Sequence, residues 1–184
     1  MNKGVVLQKK LEGKNLVIRY PKDGDAPSLL KYINLLSKKK TFIRFQGEQL
    51  SLEEESEYLK SLLEKIKKND AVQLSVFVDG ELVGVSAITM KDKVEKHIGV
   101  FGISVAKEYR GKGIGKLLMN SLFKEAGKRL GLLEMVTLSV FANNTLAVSM
   151  YEKFGFVKYG KLPKGIIYNK GKYVDDLLMY KPVE

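Results

Sequence analysis

The sequence predicts one α/β domain spanning residues 1–184, built on a mixed and mostly antiparallel sheet. Three observations carry this expectation. Ala71 to Met90 alternates on either side of Asp79-Gly80, a strong hairpin signal. A glycine-rich turn, Arg110 to Lys116, leads from an apolar strand pattern directly into a strong helical one. Beyond the opening meander, the order runs strand, helix, strand, helix, strand, strand.

Asn15 to Tyr20 reads as the first strand, and Pro21 to Pro27 as a turn. Asp25 or Ser28 is placed to cap a helix that runs to about Ser37, with Leu29, Leu30, Ile33 and Leu36 on one face. Thr41 to Leu50 is an irregular connector. Ser51-Leu-Glu-Glu is a capping box and opens a second helix, which Asn69-Asp70 ends. Ala71–Val78 and Glu81–Met90 form the hairpin, Lys91–Lys96 a charged turn, and His97–Val105 a further strand. Gly99 and Gly102 inside that strand predict a bulge. The helix from Gly113 to about Leu130 buries Ile114, Leu118, Leu122 and Ala126. Glu134–Val140 is a strand, Asn143–Lys153 a short helix stopped by Gly155, and Phe156–Tyr159 and Val174–Tyr180 close the pattern. These runs amount to about six to seven strands.

Composition narrows the chemistry. The chain has no cysteine, which excludes disulfides, a thiolate nucleophile and thiolate metal sites. A single histidine, His97, argues against a histidine-rich metal cluster, and no metal is expected. Net charge is +11, which suits an anionic ligand. The lysines are dispersed, with Lys38 to Lys40 and Lys65 to Lys68 the densest runs, which argues against a nucleic-acid or ribosome-binding surface. No apolar run approaches the roughly 18–20 residues needed to cross a bilayer, and the first ten residues do not resemble a secretory signal. A cytoplasmic protein, monomer or homodimer, is the expectation.

The glycine turn is the most informative stretch. A turn of this kind between strand and helix leaves amides facing outward at the positive helix end, a site for a phosphate or diphosphate. It is not a nucleotide P-loop, because Gly115-Lys116 is followed by Leu117 where a hydroxyl is required. It is not a dinucleotide fingerprint either. The third glycine of that pattern falls on Lys116 or Leu118.

A second segment lies one strand downstream. The pair Val105-x4-Arg110-Gly-x-Gly-x-Gly and Asn144-x2-Ala147-x3-Tyr151-x3-Gly155-Phe156 resembles the GNAT superfamily of N-acetyltransferases, most sharply over Val100 to Phe156. The resemblance implies the GNAT fold, with helices on both faces of a twisted sheet and splayed central strands. It implies acetyl-CoA as cosubstrate, its diphosphate held by the amides of Arg110, Gly111, Lys112, Gly113, Ile114, Gly115 and Lys116. Pantetheine is then expected along Ile103, Ser104 and Val105, with Asn144 as a further cofactor contact or a helix N-cap. Tyr151 matches the tyrosine that protonates the departing thiolate. A phenol of pKa about 10 is neutral at pH 7 and can donate to a thiolate whose acid has pKa about 8.5.

The resemblance implies acetyl transfer to a primary amine by direct attack, since no cysteine is present to form an acetyl-enzyme. The acceptor must be neutral to attack. That costs roughly 4–5 kcal/mol at pH 7 for a lysine-like amine and about 1 kcal/mol for an α-amine. Ribosomal-protein N-terminal acetyltransferases of this superfamily carry a glutamate where this chain has Ser139. The base is therefore expected to be a water relay, the water held by Ser104 or backbone carbonyls, with His97 and Glu48 as alternatives; Glu134 sits at the far end of its strand, too distant for the role. Specificity is expected from Thr41–Glu48 and from a loop, Lys161–Tyr173, with Phe42, Phe45, Glu48 and Tyr168 as acceptor contacts. A small polyamine-like or amino-acid-like amine is favoured. The alternatives are a protein N-terminus, such as that of a ribosomal protein, and a CoA-binding module without turnover.

Overall fold

The computed structural model describes residues 4–40, 42–168 and 171–183, excluding the side chain of Tyr168. The described strands are β1 (Val5–Leu11), β2 (Lys14–Arg19), β3 (Ala71–Val78), β4 (Glu81–Met90), β5 (Ile98–Val105), β6 (Met135–Phe141), β7 (Val157–Tyr168) and β8 (Lys172–Pro182). The described helices are α1 (Ala26–Lys38), α2 (Leu52–Lys67), α3 (Ile114–Arg129) and α4 (Thr145–Lys153). The strands make one sheet in the order β1-β2-β3-β4-β5-β6-β8-β7. All neighbours are antiparallel except β5 and β6. No described helix is long and apolar enough to cross a membrane.

Strand β3 explains the layering, because it is buried on both faces. Its Val72, Leu74, Val76 and Val78 join the core under α3 and α4. Its Ala71 and Phe77 join a second core under α1 and α2. Period-two alternation thus feeds two helical layers from one strand. The α2 capping box forms as expected: Glu54 N donates to Ser51 Oγ at 3.2 Å, and Ser51 N to the Glu54 carboxylate at 2.7 Å. Asp79 and Gly80 take φ of 47° and 85°, the left-handed pair a tight hairpin demands.

Four expectations need correction. Strand β1 was not foreseen, because its lysines obscure the alternation of an edge strand whose Val6, Leu7 and Leu11 half-bury against the core. Asp25 stands at the N-cap of α1 but makes no cap bond. Its carboxylate instead takes both guanidinium nitrogens of Arg19, at 2.6 and 2.8 Å, and Lys22 N at 3.0 Å. Burial opposes its charge, yet these donors hold its pKa below the ordinary value. The expected loop Lys161–Tyr173 is strand over most of its described residues: 161–168 belong to β7 and 172–173 to β8, with irregular register at Lys158/Gly160 and Leu162/Ile166. Its glycines and Pro163 mark bulges on an edge strand, where a missing N–H is tolerated.

The fourth correction concerns the bulge. Strand β5 pairs with β4 in unbroken register from Met90↔Gly99 to Gly84↔Val105. The extra residue is Val83 on β4, where Val76↔Gly84 gives way to Phe77↔Leu82. Gly99 is present for a different reason: a Cβ there would lie 2.6 Å from Ile88 Cγ2 and 2.9 Å from Leu133 Cδ1. At Gly102 a Cβ would meet nothing within 4 Å.

Two outcomes follow for stability. Gly99→Ala overpacks the core and is expected to cost about 1–3 kcal/mol, while Gly102→Ala leaves the melting temperature nearly unchanged. Equal melting temperatures for the two variants would refute the packing account. Glu55 on α2 is only 4% exposed and has no ion pair among the described residues. Burial pushes its carboxyl up from 4.5 to about 7. A raised carboxyl favours the folded state while protonated, and that contribution is lost as pH rises through about 7. Glu55→Gln is therefore expected to raise Tm at pH 8 and to give no gain at pH 4.5, in thermal melts at the two pH values.

Candidate functional site

The sheet parts in its middle. Strands β5 and β6 pair only at Ile98↔Met135, Gly99↔Val136 and Val100↔Thr137. Beyond Val100, β5 stays with β4, and β6 stays with β8 as far as Phe141↔Asp176. A bulge bends its strand and increases local twist, and Val83 stands on β4 beside the departing half of β5. Ile103, Ser104 and Val105 therefore line an opening in which no described strand lies beside them. The predicted splay is present, although its bulge sits one strand over.

The chain then turns into α3. Gly111 and Gly113 both take φ of 75°, a left-handed conformation that glycine adopts without strain. Gly113 is the N-cap of α3, which has no side-chain cap and no acidic residue in its first turn. The first intrahelical bond runs from Leu117 N to Gly113 O at 3.0 Å. The N–H groups of Ile114, Gly115 and Lys116 precede it and have no intrahelical acceptor. With the helix dipole behind them, they form an anion site.

The basic residues of the turn play different parts. Arg110 Nε donates to Val105 O at 2.8 Å and ties the turn to β5. Lys112 pairs with Glu12 of the β1–β2 turn at 2.6 Å, so part of its charge is committed to holding that hairpin. Lys116 is exposed and lines cavities on both sides of the α3 N-terminus. The cavity between α3 and α4, of about 250 Å³, also presents Leu146, Met150 and Lys153. Lys153 escaped the sequence reading because a lysine ending a helix ordinarily serves the helix dipole.

Asn144 is the N-cap of α4, its Oδ1 accepting from Ala147 N at 3.3 Å. Tyr151, on α4, is 8% exposed. Its ring meets Phe101 edge-on at 5.9 Å and Phe156 at 5.9 Å. Phe101 is the first β5 residue beyond the last β5–β6 pair, which puts Tyr151 at the apex of the opening on the α4 side. Burial pushes its phenol up to about 12, and it has no hydrogen-bond partner among the described residues. It is a neutral donor at any physiological pH. Phe156 is buried in the core beside it.

The opposite face differs. Ser104 Oγ accepts from the Tyr32 hydroxyl of α1 at 2.9 Å and keeps its own proton to donate. Tyr32 was not foreseen, since it lies some seventy residues away in the chain. His97 and Glu134 stand at the closed end of the β5–β6 pair, where His97 O accepts from Glu134 N at 2.9 Å. At about 3.3 Å per strand residue, His97 is roughly 20 Å along β5 from Ile103. The structure therefore removes His97 from the candidate bases and places Glu134 as far off as its strand position implied. Glu48 is exposed, and its carboxylate accepts from Gln46 N within its own turn. Backbone amides of Glu48 and Gln46 hold its pKa below the ordinary value, which makes it a weaker base.

Of the expected acceptor contacts, Phe42 meets Phe141 at the end of β6 edge-on at 5.7 Å, and Phe45 is half-buried. Thr41 and the Tyr168 side chain lie outside the described residues. Ser139, exposed on β6, donates its hydroxyl to Asp176 Oδ1 of β8 at 2.6 Å. Asp176 was not foreseen, because no local signal distinguishes it from Asp175.

A model of the acetyltransferase (GNAT) family matches residues 37–156, from the end of α1 to the residue before β7. The L-amino acid N-acetyltransferase AaaT of Escherichia coli is 31% identical over 108 residues, covering 58% of this chain and 65% of that one. The spermine/spermidine N(1)-acetyltransferase of Bacillus subtilis is 27% identical over 94 residues, covering 48% of this chain and 61% of that one. The chain thus spans less than two thirds of these relatives' length. The crystal structure of a GNAT-family acetyltransferase from Streptococcus pneumoniae superposes with a TM-score of 0.82 at 30% identity, over 91% of this chain and 99% of that one. A family match over more than half of the sequence and a superposition over most of the fold agree: the chain belongs to the acetyltransferase (GNAT) family.

Proposed function

We propose that this chain transfers an acetyl group from acetyl-CoA to a primary amine of a small molecule, by direct attack. The observation that carries the reading is the opening between β5 and β6, with the uncapped N-terminus of α3 at its mouth. The residues fit the donor. Amide groups of the Gly111–Lys116 turn, with Lys116, suit its diphosphate, and the unpaired edge of Ile103–Val105 suits the amides of pantetheine. The α3–α4 cavity, with Lys116 and Lys153, suits the phosphorylated adenosine end. When bound, the donor supplies an acyl group activated as a thioester.

Tyr151 takes the role of general acid. It stands at the apex of the opening and keeps its proton at neutral pH, so it can donate a hydrogen bond to the departing thiolate, although burial makes it a weaker acid than a free phenol. Asn144 shapes the start of α4 and so positions Tyr151 two turns later. The acceptor enters from the α1–α2 face, past Phe42 and Phe45. The names of the two curated relatives, one for L-amino acids and one for spermine and spermidine, support a small amine.

Saturating acetyl-CoA is expected to raise Tm, by linkage of about 2.7 kcal/mol at a hundred times Kd; no shift would overturn the reading. An acetylation panel of polyamines, amino acids, aminoglycosides and peptides with free N-termini, read by CoA release, is expected to select a small amine. Exclusive turnover of peptides would favour the N-terminal alternative. Tyr151→Phe is expected to lower kcat about 100-fold or more with the acetyl-CoA-induced Tm shift retained, and unchanged turnover would remove Tyr151 from the acid role.

A further inference from the structure

We propose that Asp176, acting through Ser139, is the carboxylate that anchors the acceptor's ammonium group and draws off its proton. The proposal rests on the acetyl-transfer reading and names the half of the site that reading leaves open.

The alternation of two strands places the pair. On β6, Val136, Leu138 and Val140 face the core under α3 and α4, so Ser139 faces the other way. On β8, Leu177 and Met179 face that core, so Asp176 shares the face of Ser139. Ser139 is two residues beyond the last β5–β6 pair, Val100↔Thr137, and so stands on the β6 wall of the opening. Tyr151 belongs to the α3–α4 core on the opposite face. An amine reaching the opening beside Ser139 therefore approaches from the face opposite the acid, so that attack on the thioester carbonyl and protonation of the departing thiolate do not compete for one place.

Asp176 is also an unusual carboxylate in this chain. Lysine and arginine number 32 against 21 acidic residues, yet half-buried Asp176 has no cationic partner among the described residues. Its neighbour Asp175 is occupied by Lys161 at 3.1 Å and by Lys164 N at 2.9 Å. Among the described residues, the side-chain partner of Asp176 is the Ser139 hydroxyl at 2.6 Å, which aims the Ser139 proton at Asp176 and leaves the serine oxygen as an acceptor. The bulged backbone of β7 passes close to Asp176. A Cβ at Gly165 would lie 2.9 Å from Asp176 Cβ, so the carboxylate keeps its place only because residue 165 is glycine.

The step balances within these groups. An ammonium N–H donates to Ser139 Oγ. Its proton passes to that oxygen as the serine proton passes to Asp176, leaving a neutral amine with a free electron pair and a neutral Asp176. Asp176 later returns its proton to water.

The test uses the full chain, acetyl-CoA, spermidine as the reference cation and the best amine from the panel. Asp176→Asn is expected to raise KM for the amine about 10-fold or more, as loss of a charged hydrogen-bonding partner does. It should also move the rise of kcat/KM to higher pH, so that most activity returns where the amine is neutral in solution. The acetyl-CoA-induced Tm shift should be unchanged. Gly165→Ala, which keeps the carboxylate but crowds it, is expected to raise KM in the same way. Ser139→Glu in the Asp176→Asn background returns a carboxylate to the same wall and is expected to restore the low-pH activity. Unaltered KM and pH profile in both Asp176→Asn and Gly165→Ala would overturn the proposal while leaving acetyl transfer standing. Failure of acetyl-CoA to shift Tm in the parent chain would instead overturn the underlying reading, and this proposal with it.

Discussion

The site depends on one constraint: β5 cannot be paired on both sides along its whole length. Three residue pairs join it to β6, and beyond Val100 the two strands go separate ways. Backbone amides and carbonyls beyond that point lack a neighbouring strand in a region where sheets normally satisfy every such group. The fold tolerates this because each strand keeps its other partner, β4 for β5 and β8 for β6. Val83 supplies the bend with a single extra residue on β4. An extended ligand carrying its own amides can complete the β5 edge, which is how a sheet defect becomes a binding slot.

The other features are arranged around that defect. At its mouth, two glycines in left-handed conformation turn the chain so that α3 starts with free N–H groups facing outward. Arg110 fastens the turn to Val105, the last residue of β5. At the apex, Phe101 carries the ring of Tyr151. On the far face, Ser104 is held by Tyr32 and Ser139 by Asp176, so both walls bear oriented hydroxyls. The two helical layers make this asymmetry possible. One side of the slot is lined by α3 and α4, which suit an anionic donor, and the other is the side we assign to the acceptor.

Much of this was legible in the sequence where the signal was local. The α2 capping box, the Asp79-Gly80 hairpin and the α3 glycine turn each need particular residues at adjacent positions, and each formed as read. The Gly99 expectation failed instructively. Glycine in a strand signals either a bulge or a close approach, and only the distance to Ile88 and Leu133 decides between them. The β7–β8 hairpin was misread because bulges on an edge strand carry the same residues as a loop. His97 was a plausible base by residue type alone, until strand register put it at the closed end of the slot.

By itself, then, the sequence determined the turn that we assign to the donor. A diphosphate site is made of backbone amides at a turn, and turns are written in consecutive residues such as Gly111, Gly113 and Gly115. Only the tertiary structure decided the side-chain pairs that we assign to the acceptor side. Tyr32 and Ser104, or Ser139 and Asp176, are brought together by helix packing and by sheet order, across 72 and 37 positions of chain. No local pattern encodes such a pairing, because β8 lies beside β6 only once the whole sheet has assembled.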